Sequence, residues 1–426
     1  MAIPQPHRPR IAYLDFCDAF EDFYPHYGVT QESFARSWDS SGGHAFARAL
    51  QRAVGDVIWY ELSLQPQLSS AVHETTGCRV RFLRSGLLHR LLWSAFYRSQ
   101  LSWRYRGLYP AYATLASYLA PLSSQLLRAL RQDRPSAFFV QDYASGRFDI
   151  LWALSRLLRA PLIAWHSGSL LGRHLGRALR RWTLPRSDFL LVSSEAEKRN
   201  LVSFYRVDPN RIRVVLTPLD LHAYRPMDRA SCLQQAGLPP DRAYFLFVGR
   251  LVDHLKRISV AIRAAARICA GRPDVHLLIL GDGPDRRRLE ALAAEAAPGH
   301  VTFLGWIGDP LRKALYYNAA EALVLPSTQE GFPTVIGEAM SCGTPVISSD
   351  IGGCSELVQD GVTGWLIPPG DEDALRHAML RLLAMPGAGE LRRRARQAAE
   401  ARLAPPVVER ALRQCFDEIW REHAAQ

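Results

Sequence analysis

Lysine is almost missing from this chain of 426 residues: Lys198, Lys256 and Lys313 are the only three, and every other one of the 52 basic side chains is arginine. Acid is missing from one long stretch, since no Asp or Glu stands between Thr75 and Gln132. Cysteine is sparse, odd in number at seven, and scattered without a Cys-x-x-Cys pair, which excludes a disulfide framework and a zinc knuckle and points to a reducing compartment. No run of 18 clean apolar residues occurs, which excludes an ordinary membrane-spanning helix, and MAIPQPHRPRIAYLDF lacks the basic-then-apolar pattern of a leader. The expectation is a soluble, cytoplasmic protein, free or peripheral on the inner face of the cell membrane.

What is present fits a large folded protein. Hydrophobic residues make up 48% and charged residues 22%, with 10 Trp, 15 Tyr and 17 Phe, so wholesale disorder is excluded and two or three domains are expected. The formal charge is +11. Codon bias accounts for an arginine skew as well as an anionic partner does, so its distribution says more than its size. In the acid-free stretch, Arg79, Arg81, Arg84, Arg90, Arg98, Arg104, Arg106, Arg128 and Arg131 interleave with Leu87, Leu88, Leu91, Trp93, Phe96, Tyr97 and Trp103. That is the composition of a basic amphipathic surface helix, and residues 79–106 are expected to meet an anionic membrane surface. The plainer reading is a helix with a wet arginine face; nucleic acid is not the expected partner.

Short apolar runs alternate with Ala-, Leu- and Arg-rich helical stretches in the second half: YFLFVG, VHLLIL, VTFLG, ALVLP and PVISS. Such alternation predicts a parallel sheet covered on both faces. RIAYLDF, DVIWYEL, AFFVQ, PLIAWH, DFLLVS and RIRVVL predict a second α/β sheet in the first half. Breaker residues in LDLHAYRPMDRASCLQQAGLPPDRA place a boundary there. The expected domains are 1–225, carrying the basic segment 79–131, and 226–400. A last helical stretch, 401–426, is expected to pack back on the first domain. Ligands of such folds sit beyond the carboxyl ends of the strands, in a cleft.

The densest chemistry lies in AEALVLPSTQEGFPTVIGEAMSCGTPVISSDIGG. After the strand ALVLP comes a loop with Glu330 and Gly331, and a helix is predicted to begin near Phe332 with Pro333 in its first turn. Unpaired amides at Phe332, Thr334 and Val335 make an anion site suited to a diphosphate. Glu330 and Glu338 are spaced to bracket it and bind sugar hydroxyls; the plain alternative makes one a cap and the other a solvated helix residue. Arg250 and Lys256 follow the strand YFLFVG and supply cations for the same phosphates. In a chain so poor in lysine, Lys256 does not look like surface filler. Asp371, Glu372 and Asp373 read as a helix start, so no metal is expected.

With FVGRLVDHLK, LLILGDGPDRRRLE, VTFLGWI, LVLPSTQEGFPTVIGEAMSCGTPVISSDIGG and LVQDGVTGWLIPPGD, the chain resembles the retaining glycosyltransferases of family 4 over roughly Val214 to Leu383. Glu330 and Glu338 match that family's Glu-x7-Glu pattern. The resemblance implies a GT-B fold of two facing Rossmann-like domains with a ligand cleft between them. It implies a nucleotide-diphosphate sugar donor, UDP- or GDP-linked, no cofactor, and a glycan or lipid-linked acceptor in surface polysaccharide, lipopolysaccharide or glycolipid synthesis. By the same resemblance Gly249, Arg250 and Lys256 hold the diphosphate, Glu330 touches the sugar, Glu338 binds ribose, and Gly331, Phe332, Pro333 and Thr334 present amides. The backbone at Trp306 and Ile307 receives the base. Gly42 and Gly43 stand for the first-loop glycine pair, and Asp142 occupies the place of the family's histidine, with His166 at another strand end. An epimerase or hydrolase of the same fold, and a basic non-enzymatic binding module, are the alternatives.

Overall fold

A computed structural model describes residues 8–15, 17–39, 42–96, 109–166, 176–385 and 388–424. The chain forms two compact units: Met1–Pro218 joined by Val408–Gln426, and Leu219–Val407. These bounds differ from the sequence-derived 225/226 and 400/401. Leu219 already belongs to the second unit because its amide bonds to the Leu403 carbonyl at 3.0 Å.

The first unit holds the strands β1 (Arg10–Leu14), β2 (Asp56–Ser63), β3 (Ser70–Val72), β4 (Arg79–Arg84), β5 (Ala137–Gln141), β6 (Leu162–His166), β7 (Phe189–Val192) and β8 (Ile212–Val214). They form one sheet in the order β3-β4-β2-β1-β5-β6-β7-β8, parallel except for the β3–β4 pair. Strands β1, β5, β6 and β7 are buried almost throughout, as strands covered on both faces must be. The basic segment is therefore not one amphipathic helix. Val80 and Phe82 point into one core layer from β4 and Leu83 into the other, and helices follow at Leu87–Phe96, Tyr109–Leu119 and Ser124–Asp133. Of its arginines and aromatics, those at 97–108 lie outside the described residues. The helix Pro405–Ala424 buries Val408, Leu412, Cys415, Phe416 and Ile419 in this unit's core, with Ile11, Phe139 and Leu191.

The second unit holds β9 (Ala243–Val248), β10 (Val275–Leu280), β11 (Val301–Gly305), β12 (Ala322–Leu325), β13 (Val346–Ser349) and β14 (Gly364–Ile367) in the order β11-β10-β9-β12-β13-β14, all parallel. Strand β14, GWLI, is too short for its periodicity to mark it in the sequence. In both sheets the strand order reverses next to the first strand, between β1 and β5 and between β9 and β12. The carboxyl ends at such a reversal diverge and leave a crevice, where open α/β sheets bind ligands.

Among the described residues no helix is long and apolar enough to cross a membrane.

Candidate active site

At the reversal of the second sheet the loops after β9 and β12 meet. Lys256 ends the short helix Asp253–Lys256, and its Nζ donates to both carboxylate oxygens of Glu330 at 2.7 Å. Ser327 Oγ donates to Glu330 Oε1 at 2.7 Å. The Glu330 side chain is 7% exposed and that of Lys256 24%, so the pair stands at the floor of the crevice with its cation toward solvent. Close backbone packing holds this loop in place: a Cβ on Gly353 would lie 2.5 Å from the Gly331 carbonyl oxygen, and one on Gly352, at φ 39°, 3.2 Å from that of Glu330. Arg250 is exposed just past half-buried Gly249, whose amide continues the β9–β10 pairing to the Leu280 carbonyl at 3.0 Å.

The neighbouring helix starts two residues later than the sequence predicts. It runs Thr334–Ser341 with Pro333 as N-cap, Phe332 and Pro333 being buried in the loop before it. No side chain caps it. The first amides therefore keep their donors free for an anion, with the positive end of the helix dipole behind them.

Glu338, on this helix, is neither solvated nor bonded to the Glu330 set. It is 1% exposed. Lys313 Nζ donates to its Oε1 at 3.1 Å and the Tyr317 hydroxyl to its Oε2 at 2.8 Å. Burial first, then the charge of Glu338, push the Tyr317 and Tyr224 hydroxyls far above the ordinary tyrosine range, so both stay protonated and Tyr317 remains a donor to the carboxylate. Lys313, stacked over Tyr224 at 5.3 Å, is the more exposed partner. Sequence reasoning missed Lys313 and Tyr317, although the scarcity of lysine was a usable signal: two of the three lysines in the chain neutralise the two glutamates of the motif. Trp306, 54% exposed, and buried Ile307 lie beyond the end of the edge strand β11.

In the first unit the reversal between β1 and β5 gathers a second set. Gly42 caps the helix Gly43–Ala53, and Gly43 packs so closely that a Cβ there would lie 2.9 Å from Gln141 Oε1 and 3.3 Å from Asp15 Oδ1. Asp142 follows β5 in the left-handed region at φ 71°, held by its amide on the Trp165 carbonyl at 2.7 Å and by the Ala144 amide on its Oδ1 at 2.8 Å. Its Oδ1 lies 3.1 Å from His166 Nδ1. Burial raises the Asp142 carboxyl, but the hydrogen bond and charge of His166 and the charge of Arg147 outweigh it and hold the group below the ordinary range. The sequence thus named both partners of a contact it had no means to see.

Asp371 caps the helix Glu372–Ala384 through the Ala374 amide at 2.9 Å, while Glu372 and Asp373 pair with Arg263 and Arg267. Helix capping accounts for this acidic run. Among the described residues no three His, Cys, Asp or Glu side chains are grouped to hold a metal ion.

Residues 44–223 match Glycosyltransferase Family 4 and residues 228–402 match Glycosyl transferases group 1. The D-inositol 3-phosphate glycosyltransferase of Nocardia farcinica is 32% identical over 307 residues, 63% of this chain and 67% of the relative. That of Acidothermus cellulolyticus is 36% identical over 207 residues, 46% of each. The chain spans about half the length of most of the curated relatives it matches. Among solved structures, sucrose-phosphate synthase from Thermosynechococcus elongatus superposes with TM-score 0.75 at 23% identity, over 97% of this chain and 100% of that one. Anabaena HepE in complex with UDP superposes at 0.70 and 17% identity, over 96% and 100%. Both likenesses establish the GT-B fold. Two parallel-sheet units, the paired glutamates and these matches together make this chain a member of glycosyltransferase family 4.

Proposed function

We propose that the chain transfers a sugar, with retention, from a nucleotide-diphosphate donor to a hydroxyl-bearing acceptor. The carrying observation is the Lys256–Glu330 pair at the β9–β12 reversal, beside exposed Arg250 and an uncapped helix start. Breaking the anomeric C–O bond sends its electron pair to the diphosphate, so the rate depends on positive charge already in place at the leaving group. Arg250, Lys256 and the amides at Thr334 and Val335 supply it, and no metal is required for that purpose. Glu330 orients the sugar and faces the charge that develops on its ring. The acceptor oxygen attacks from the side the diphosphate leaves, and its proton passes to a departing phosphate oxygen. Trp306 and Ile307 bound the base, and Glu338 reads the ribose from beneath Lys313. HepE binds UDP and UDP-glucose, which supports a uridine donor, with a guanosine donor the alternative.

The test is product analysis by NMR with UDP- and GDP-sugars and a mixed polyol acceptor pool. New glycoside of the donor's anomeric configuration is expected; inverted product, or donor conversion that needs no acceptor, would contradict the reading.

The acceptor is proposed to be glycan or lipid-linked, made at the inner membrane face. Support comes from Leu87, Leu88 and Leu91, each about 60% exposed on the helix Leu87–Phe96, in the same acid-free stretch as exposed Arg84, Arg128 and Arg131. Co-sedimentation is expected with phosphatidylglycerol vesicles and not with phosphatidylcholine, and Leu88→Glu/Leu91→Glu should remove it. Equal pelleting by wild type and variant would dismiss the surface.

A further inference from the structure

The segment GDGPDRRRLE leads from β10 into the helix Arg286–Ala296 and packs against the backbone that carries Arg250 and Lys256. The contact is close: a Cβ on Gly281 would lie 1.9 Å from the Gly249 carbonyl oxygen, and one on Gly283 2.6 Å from that of Leu251. Two backbone hydrogen bonds clamp Leu251 there, its amide donating to the Asp282 carbonyl at 2.9 Å and its carbonyl accepting from the Asp285 amide at 3.2 Å. The helix Asp253–Lys256 follows one residue later.

That helix is a single turn, too short to persist on its own intrahelical bonds. It also runs into Arg257 in the left-handed region at φ 51°, which is unfavourable for a residue with a Cβ. Groups outside it must therefore hold it. On one side Thr328, in the loop after β12, gives its amide to the Leu255 carbonyl at 2.8 Å. On the other, Asp285 Oδ2 accepts the Asp253 amide at 2.7 Å, and Arg288 Nη2 donates to Asp253 Oδ2 at 2.6 Å. Arg288 Nε lies 3.8 Å from Asp285 Oδ1, so one guanidinium spans both carboxylates. Asp253 Oδ1 in turn accepts from the Ser259 amide at 2.7 Å, in the first turn of the helix Ile258–Cys269.

Asp285 stands at the N-cap of Arg286–Ala296, where an aspartate ordinarily accepts an amide of its own helix, yet its side chain caps nothing there. Its carboxylate is given to the Asp253 amide instead. Burial raises the Asp253 carboxyl, but the bonds from Ser259 and Arg288 outweigh it and hold the group below the ordinary range, so it stays ionised against the guanidinium. The Arg288 side chain is 57% exposed, where an ion pair contributes little to stability. A network that stabilises little but fixes one turn of helix is placed to set the position of what that turn carries, and the turn ends on Lys256.

We infer that Asp253, Asp285 and Arg288 form a clasp that holds Lys256 in place for the donor's diphosphate. All three are positioning residues, acting through the lysine. The inference rests on the donor reading of the β9–β12 crevice and gives GDGPDRRRLE a part in donor affinity.

The experiment is a double-mutant cycle read by titration calorimetry of the full chain with UDP and with GDP. For the nucleotide that wild type takes, Lys256→Ala is expected to weaken binding at least about fivefold and Asp285→Ala at least about threefold. In the Lys256→Ala background, Asp285→Ala should change the affinity by less than about 1.5-fold, because the clasp has no cation left to position. Arg288→Gln, a change at an exposed side chain, is expected to keep the wild-type Tm and to weaken binding in the same coupled way, and Arg288→Lys to restore it in part. Losses of equal size with and without Lys256, or no loss in any clasp variant, overturn the inference and leave the donor crevice standing. Wild-type affinity in Lys256→Ala, or no nucleotide bound by any of these chains, removes the donor reading and the clasp with it.

Discussion

Glu330→Ala is expected to lower turnover by at least about a hundredfold, the scale on which preorganised transition-state electrostatics are lost, while nucleotide affinity stays within a few-fold. The two readouts separate because of how Glu330 is held. Both its oxygens accept from Lys256, and Ser327 fixes one of them. Removing the carboxylate leaves Lys256 free to take a phosphate, so donor binding does not suffer. What is lost is the group that faces the anomeric carbon. Glu330→Gln keeps the shape and the Ser327 contact and should be nearly as inactive. Steady-state kinetics beside nucleotide titration reads both quantities, and unchanged turnover in either variant removes the role given to Glu330.

Lys313→Met should destabilise the second unit by about 3–5 kcal/mol, the usual cost of stranding one member of a buried ion pair. The Glu338 carboxylate is 1% exposed, and among the described residues Lys313 is the only cation within ion-pair distance of it. Tyr317 keeps one oxygen satisfied but brings no charge. The double variant Lys313→Met/Glu338→Gln removes the stranded charge as well and should recover most of the loss. Urea unfolding followed by fluorescence measures both. A single variant within about 0.5 kcal/mol of wild type, the range of an ordinary surface substitution, would mean that water already screens this carboxylate.

Strands β9 and β10 were legible because YFLFVG and VHLLIL are short, apolar save for His276 and closed by glycine, leaving little ambiguity of period. Strand β4 was not, because its arginines at 79 and 81 alternate with the buried Val80 and Phe82 and disguise them as part of a basic run. The motif residues Glu330 and Lys256 were readable from local pattern alone. Their direct bond was not, since it depends on β9 and β12 being neighbours in the sheet while two strands separate them in sequence. Arg147 was invisible for a related reason, since it sits in a helical stretch indistinguishable from many others here, and Lys313 offered only its rarity: each acquires its meaning from the carboxylate across from it. The helix start at Thr334 shows the limit of a turn rule, because Pro333 serves as the cap instead of entering the first turn.

Titration of the wild-type chain and the Arg250→Ala/Lys256→Ala variant with UDP, GDP and their sugars tests the donor crevice most directly. The account predicts micromolar-range binding of at least one nucleotide diphosphate and its loss by tenfold or more in the variant, with a thermally stable fold. Absence of binding by every nucleotide tried, or binding unaffected by removal of both cations, would contradict it.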